Sequence, residues 1–180
     1  MSSPVVVVDA NVLYGIEVTD LLLTLATQRS LRVHWSFEIL DEVKRNLAMR
    51  PELSVEAIEH RIRQMNLALP DARHDAPADL IAEMPINDKD RHVLALAVHL
   101  TASTVLTHNL RDFPDDACRR FGVEAIPPDQ LLVRLDLADM SRAVEQMASR
   151  RRRPPRTPAG IIDRLADELP LTVASIRSHG

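Results

Sequence analysis

Apolar residues follow two rhythms along this chain. Residues 5–8 are four valines in succession, with no alternation, as in a strand covered on both faces of a parallel sheet. Similar short runs at 31–35, 104–107 and 123–126 predict three more strands, the last closed by Pro127 and Pro128. Helical spacing fills the gaps. A helix is predicted from about residue 21 to 30. Another covers 37–50, with Ile39, Val43 and Leu47 on one stripe, Ser36 as its N-cap and Pro51 as its stop. A third covers 54–67. Residues 70–87 carry three prolines and no period, so a loop with at most a short strand is expected there. Asn87 or Asp88 then caps a helix carrying Val93, Leu94, Ala97 and Val98.

Strands alternating with helices predict an α/β fold around a parallel sheet over residues 1–127. Beyond residue 128 only helical spacing remains, at 131–132, 140–147, 161–169 and 171–176, so 128–180 reads as a C-terminal helical extension. Within it Arg150, Arg151, Arg152, Arg153 and Arg156, interspersed with Pro154, Pro155 and Pro158, read as a basic linker near 150–156.

Composition narrows the picture. Hydrophobic residues make up 46% of the chain and charged residues 27%, the balance of a folded globular protein. Aromatics are only 3%, which predicts an aliphatic core and no aromatic platform for stacking bases. The single cysteine, Cys118, excludes an internal disulfide and a cysteine zinc site. No apolar run is long enough to cross a membrane, and the start lacks the basic region and long apolar stretch of a secretory signal, so a cytoplasmic protein is expected. The net charge of −4 is unevenly spread. Residues 1–127 hold 13 basic against 19 acidic residues, and residues 128–180 hold 9 against 7.

The acidic excess matters most where it meets strand ends. In open α/β sheets ligands bind at the carboxyl ends of the strands. Asp9 directly follows the first strand. Asn109 and Asp112 follow the third, and Asp88 and Asp90 open the helix before it. Glu42 borders the apolar stripe of the 37–50 helix. Each has an ordinary structural reading as a cap, a turn residue or a solvated charge. As a group they repel one another, increasingly so in low dielectric, and a divalent cation relieves that repulsion. Mg²⁺ takes oxygen ligands and keeps several waters, and such sites activate water and stabilise charge on a phosphate. The chain has neither a Gly-x-Ser-x-Gly nucleophile motif nor a Gly-x-x-x-x-Gly-Lys phosphate loop.

Four stretches, in order, resemble the motifs of PIN domains: residues 5–13 around Asp9, 40–47 around Glu42, 88–97 around Asp90, and 105–114 from Val105 to Pro114. The resemblance covers about residues 4–127. It implies a PIN-like three-layer α/β/α nuclease fold and Mg²⁺- or Mn²⁺-dependent cleavage of RNA. Many small bacterial members are VapC-like toxins restrained by a cognate antitoxin over the active site, and homodimers are common. By position, the resemblance makes Asp9, Glu42 and Asp90 the central metal-binding acids. Asn11 becomes a polar neighbour, and Thr107 supplies a hydroxyl near the metal or its water. Many members have an acid two residues after that threonine, whereas this chain has Asn109. Either Asp112 substitutes as a metal-binding acid or Asn109 serves as a neutral ligand, and this leaves one or two metals open. Asp88 reads as the helix cap.

Other residues invite function less firmly. His92 and His99 share a helix seven residues apart, with no acid at zincin spacing, and His108 lies in the fourth motif. Arg91, Arg111 and Lys44 flank the motifs and have the chemistry to meet phosphates. The arginine run at 150–153 reads either as a linker or as an electrostatic contact to RNA. A haloacid-dehalogenase-like phosphatase also places an aspartate after its first strand, but needs a second where this chain has Asn11. A catalytically silent PIN module that binds RNA or a protein is the competing reading of a different class. The sequence-based prediction is that Asp9→Asn abolishes cleavage while circular dichroism shows an unchanged fold; undiminished cutting by the variant would remove Asp9 from the reaction.

Overall fold

Four short strands form a single all-parallel sheet in a computed structural model that describes residues 3–152 and 154–179. β1 (Val5–Val8) pairs with β2 (Arg32–His34) on one side and with β3 (Thr104–Leu106) on the other, and β4 (Glu124–Ile126) closes the order β2-β1-β3-β4. The valines of β1 are buried because this strand is central and helices cover both faces, giving the three-layer α/β/α arrangement. Val7 pairs with His34 on one edge and Val105 on the other, which aligns the carboxyl ends of β1 and β3.

Six helices belong to the part of the chain that builds the sheet: α1 (Ile16–Thr27), α2 (Phe37–Ala48), α3 (Val55–Ala68), α4 (Ala78–Glu83), α5 (Arg91–His99) and α6 (Asp115–Arg119). The expected N-cap is present on α2, where Ser36 Oγ accepts from the Ile39 amide at 3.0 Å, and Ser54 caps α3 in the same way, its Oγ accepting from the Ala57 amide at 3.2 Å. Three expectations need correction. The first helix starts at Ile16, earlier than its leucine run suggests, because Gly15 in extended conformation begins the turn. Part of the supposed loop at 70–87 is α4, a helix too short to display an apolar period. Asp88 does not cap α5: it is exposed and pairs with Arg91 at 3.0 Å, and Asp90 itself occupies the cap position.

The core is aliphatic apart from Trp35 and Phe113, both fully buried. It continues without a break into the C-terminal helices α7 (Pro128–Leu132), α8 (Leu137–Arg150), α9 (Pro158–Leu165) and α10 (Pro170–His179), which contribute Met140, Val144, Met147, Ile161, Leu165 and Val173. Two polar devices fasten these helices. Buried Asp129 on α7 accepts from the Leu171 and Thr172 amides, each at 2.8 Å, and from Thr172 Oγ1 at 2.7 Å. It thereby satisfies amides of the first turn of α10 and sets a carboxylate against the positive end of the helix.

The second device absorbs the basic stretch. Buried Glu17 on α1 accepts through Oε1 from Arg156 at 2.6 Å and Arg164 at 2.9 Å. Asp20, one turn on, receives Arg150 at 2.9 Å and Arg151 at 3.0 Å. Arg150, Arg151 and Arg156 are thus bound to the acids of α1 instead of standing out toward RNA. Arg153, the fourth member of the run, lies outside the described residues.

Replacing Asp129 with Ala is predicted to lower stability by about 1.5–3 kcal/mol, the worth of hydrogen bonds to a charged acceptor. The melting temperature should fall by roughly 3–12 °C for a chain of this size, read by thermal denaturation.

Candidate metal centre

The sheet order dictates where a site forms. From β1 the chain leaves toward β2 and from β3 it leaves toward β4 on the other side, so the connections part at the carboxyl ends of these two paired strands and open a crevice there. Asp9 and Thr107 occupy the first position beyond those two strands. Thr107 Oγ1 donates to Asp9 Oδ2 at 2.7 Å, and Asn11 Nδ2 donates to the same oxygen at 2.6 Å. Asn11 Nδ2 also reaches Thr107 Oγ1 at 3.0 Å, and Asn11 Oδ1 accepts from the His108 amide at 3.0 Å. The ends of two neighbouring strands are cross-braced through one buried carboxylate.

Around this brace lies a hollow of about 740 Å³, lined by Asp9, Asn11, Glu42, Asp90, Asn109 and Asp112, with other polar residues at its margin. Every site residue expected from the sequence therefore meets at one place, Thr107 lying buried beneath. Glu42 projects from α2. Asp90 comes from the start of α5, where its side chain makes no capping bond and is left to the hollow. Asn109 donates through Nδ2 to Asp112 Oδ2, so the two candidates of the fourth motif form one hydrogen-bonded unit.

The electrostatics are those of crowded acids. Burial raises the Asp9 carboxyl above its ordinary value, and the charge of Glu42 adds to this, against the hydrogen bond from Thr107. Asp90 is pushed up to about 6, first by burial and then by the charge of Asp112; Lys89 opposes the shift, and Asp9 and Glu42 add to it. Asp90 Oδ2 is buried and has no hydrogen-bond partner among the described residues. Such an oxygen is costly unless something fills its need.

An all-oxygen set of carboxylates, amides and a hydroxyl matches hard cations such as Mg²⁺ and Mn²⁺. Among the described residues no three His, Cys, Asp or Glu side chains are gathered tightly enough to clasp one ion. The acids ring the hollow instead. That arrangement suits Mg²⁺, which takes one or two carboxylates directly and keeps much of its water.

Several residues of the site are not evident in the sequence. Tyr14 donates its hydroxyl to Glu42 Oε1 at 3.1 Å and so orients it. Burial and the Glu42 charge raise the Tyr14 phenol, which stays protonated as a donor. Lys89 Nζ lies 2.8 Å from Asp112 and 3.7 Å from Asp90, a cation between two acids of the hollow. His92 and Glu38 also line it, 3.8 Å apart across α5 and α2. The only sequence signal for Lys89 was its place between two aspartates. Arg61 supports from outside: its guanidinium donates to the Leu13 carbonyl at 2.7 Å and to Gly15 at 3.1 Å, tying the turn that follows Asp9 to α3.

A PIN domain family model matches residues 5–111, and a VapC50 C-terminal domain model matches residues 129–178. A Mycobacterium tuberculosis protein named "Putative ribonuclease VapC50" is 39% identical over 102 residues, covering 55% of this chain and 60% of the relative. The chain thus aligns with less than two thirds of that relative's length. No solved structure matches.

Metal-free protein should show the strain of these acids. A carboxyl raised in the folded state holds a proton that the unfolded chain has already lost. Stability therefore falls as pH rises from about 4, the ordinary aspartate value, through about 6. At pH 7 in EDTA, Asp90→Asn is predicted to be more stable than the parent by on the order of 1 kcal/mol, after allowance for solvent screening. The same variant should lose most of the melting-temperature gain that Mn²⁺ gives the parent by mass action. A variant less stable than the parent in EDTA would contradict the electrostatic account.

Proposed function

This chain belongs to the PIN-domain family, and on that footing we propose that it is a divalent-metal-dependent endoribonuclease, the toxin of a toxin–antitoxin pair. The observation that carries the reading is the gathering of Asp9, Glu42, Asp90 and Asp112 around one hollow at the carboxyl ends of β1 and β3. Asp9, Glu42, Asp90 and Asp112 are assigned to metal binding and catalysis, with Asn11, Thr107 and Asn109 supporting them. Residues 1–127 form the nuclease domain in this reading, and 128–180 the extension that braces it. The site works on RNA in the cytoplasm, as a monomer or homodimer, until an antitoxin protein covers it.

Bound Mg²⁺ or Mn²⁺ would supply charge stabilisation at the scissile phosphate and lower the pKa of an attacking water. The residues of the chain provide the setting. Thr107 and Asn11 hold the Asp9 carboxylate in one orientation by donating to the same oxygen. Tyr14 does the same for Glu42. Asn109 steadies Asp112, and Lys89 sits at the margin of the acids, where it has the charge to receive a phosphate oxygen.

The test is cleavage of a mixed RNA pool in Mn²⁺, Mg²⁺ or EDTA, beside Asp90→Asn. Cutting is expected with either metal and not in EDTA, with the variant slower by roughly a hundredfold or more, the few kcal/mol that a metal supplies to the transition state. Fragment ends then identify the target. Mn²⁺ binding with RNA retention but no cutting of any RNA favours the silent module, a reading to which Asn109 in the fourth motif gives some room.

A further inference from the structure

Beside the acidic hollow lies a second one of about 320 Å³, and the two share Glu38 and His92 as a common wall. Its other boundaries include Phe37, Asp75 and Ile81. Three features set this hollow apart from a solvated crease. His92 is only 5% exposed, yet its Nδ1 has no hydrogen-bond partner among the described residues. Glu38 Oε2 lies 3.8 Å from that nitrogen, too far for a hydrogen bond and near enough for one small planar ligand to engage both. Phe37 is 59% exposed at the start of α2, a large ring left outside the core of a protein with very few aromatic residues.

From these features we propose that the second hollow is a nucleobase subsite that selects guanine next to the cleaved phosphate. The proposal rests on the ribonuclease reading and names the substrate feature read by that same site. The hollow offers acceptors from the Glu38 carboxylate and from Asp75, whose Oδ1 is engaged by the Phe37 amide at 2.9 Å while its other oxygen is not. No lysine or arginine lines it. Guanine alone among the four bases presents two adjacent donors on its Watson–Crick edge, N1–H and the 2-amino group, and these match the two oxygens of one carboxylate. The neighbouring O6 needs a donor, which His92 supplies when its proton is on Nδ1. Cytosine and adenine would turn a ring nitrogen lone pair toward the carboxylate, and uracil would turn carbonyl oxygens toward it. Each would leave the buried His92 nitrogen or the acid poorly matched. Phe37 supplies a face for stacking a base splayed out of a single strand, which needs only one ring per base.

This placement has a consequence for the reaction. Glu38 and His92 belong to both hollows, so a base held in the second fixes how the adjoining phosphate enters the first. Recognition then acts on positioning, and its loss should lower kcat/KM for guanine substrates without improving any other base.

The experiment uses short oligoribonucleotides around the mapped cut, differing only by guanine or inosine at each flanking position; inosine lacks the 2-amino group and keeps N1–H and O6. In Mn²⁺ the parent is expected to cut the guanine form about 10- to 150-fold better at one flanking position, the worth of the one hydrogen bond to a charged acceptor that inosine cannot make. Glu38→Gln should reduce that ratio to near one while still cutting. The exposed Phe37→Ala should weaken binding of both forms, and circular dichroism should show both variants folded. In parallel, the binding of the same pairs to Asp9→Asn protein in EDTA, by fluorescence anisotropy, should show the guanine preference without cleavage. A parent that cuts with no guanine preference at any flank, or a preference that survives Glu38→Gln unchanged, overturns the subsite and leaves the nuclease reading intact. If the parent cuts no RNA and no flank can be mapped, binding of guanosine and inosine monophosphates to the parent is compared instead; a guanine preference lost in Glu38→Gln then sinks the nuclease reading and keeps the guanine site, and no preference overturns both.

Discussion

A single buried carboxylate organises this molecule. Asp9 stands where the central strand stops, and ionising it there is costly because burial removes its water. Thr107 and Asn11 offset part of that cost by donating to one of its oxygens, and in doing so they join the end of β3 to the turn after β1. The strand pairing brings the two together, since Val8 pairs with Leu106 one residue earlier. Once Asp9 is held in this way, every further acid brought near it raises the electrostatic cost. Asp90, pushed up to about 6, shows that cost most clearly. The fold accommodates repelling groups at the place where the connections leaving its two central strands part.

The C-terminal helices bear on that arrangement through the N-terminal turns of α1. Glu17 and Asp20, on the first two turns of α1, gather Arg150, Arg151, Arg156 and Arg164 from the extension. α1 also leads directly out of the turn that contains Tyr14, whose hydroxyl orients Glu42. Arg61 grips the carbonyls of that turn from α3. The charged clamp, the tied turn and the site are therefore contiguous along the chain from Asp9 to Asp20. An account of the extension as a loosely attached tail does not fit a hydrophobic core that runs through Met140, Met147 and Ile161 without interruption.

The parts of this arrangement differ in how far they could be read from residues alone. The valine run announced a buried central strand because burial on both faces removes alternation. Ser36 announced a helix start because its hydroxyl satisfies an amide that any helix leaves open. α4 escaped notice since its 6 residues are too few to display an apolar period, and Leu80 and Ile81, which rest against the core, are only half-buried. Asp88 seemed the natural cap of α5, but a chain with two acids two residues apart does not reveal which will face the helix and which the crevice. Arginines 150, 151 and 156 read as a linker because the acids that bind them lie some 130 residues earlier in the chain.

By itself the sequence determined the alternation of strands and helices, the aliphatic core and the identity of the acids that follow the strands. Those depend on local spacing and on residue type, which a linear reading carries in full. The tertiary structure alone decided the strand order, and with it which carboxylates repel, which oxygen of Asp90 lacks a hydrogen bond among the described residues, and that His92 faces Glu38 across two helices. Such facts arise from contacts between distant segments, where distance and dielectric set the energy and position along the chain does not.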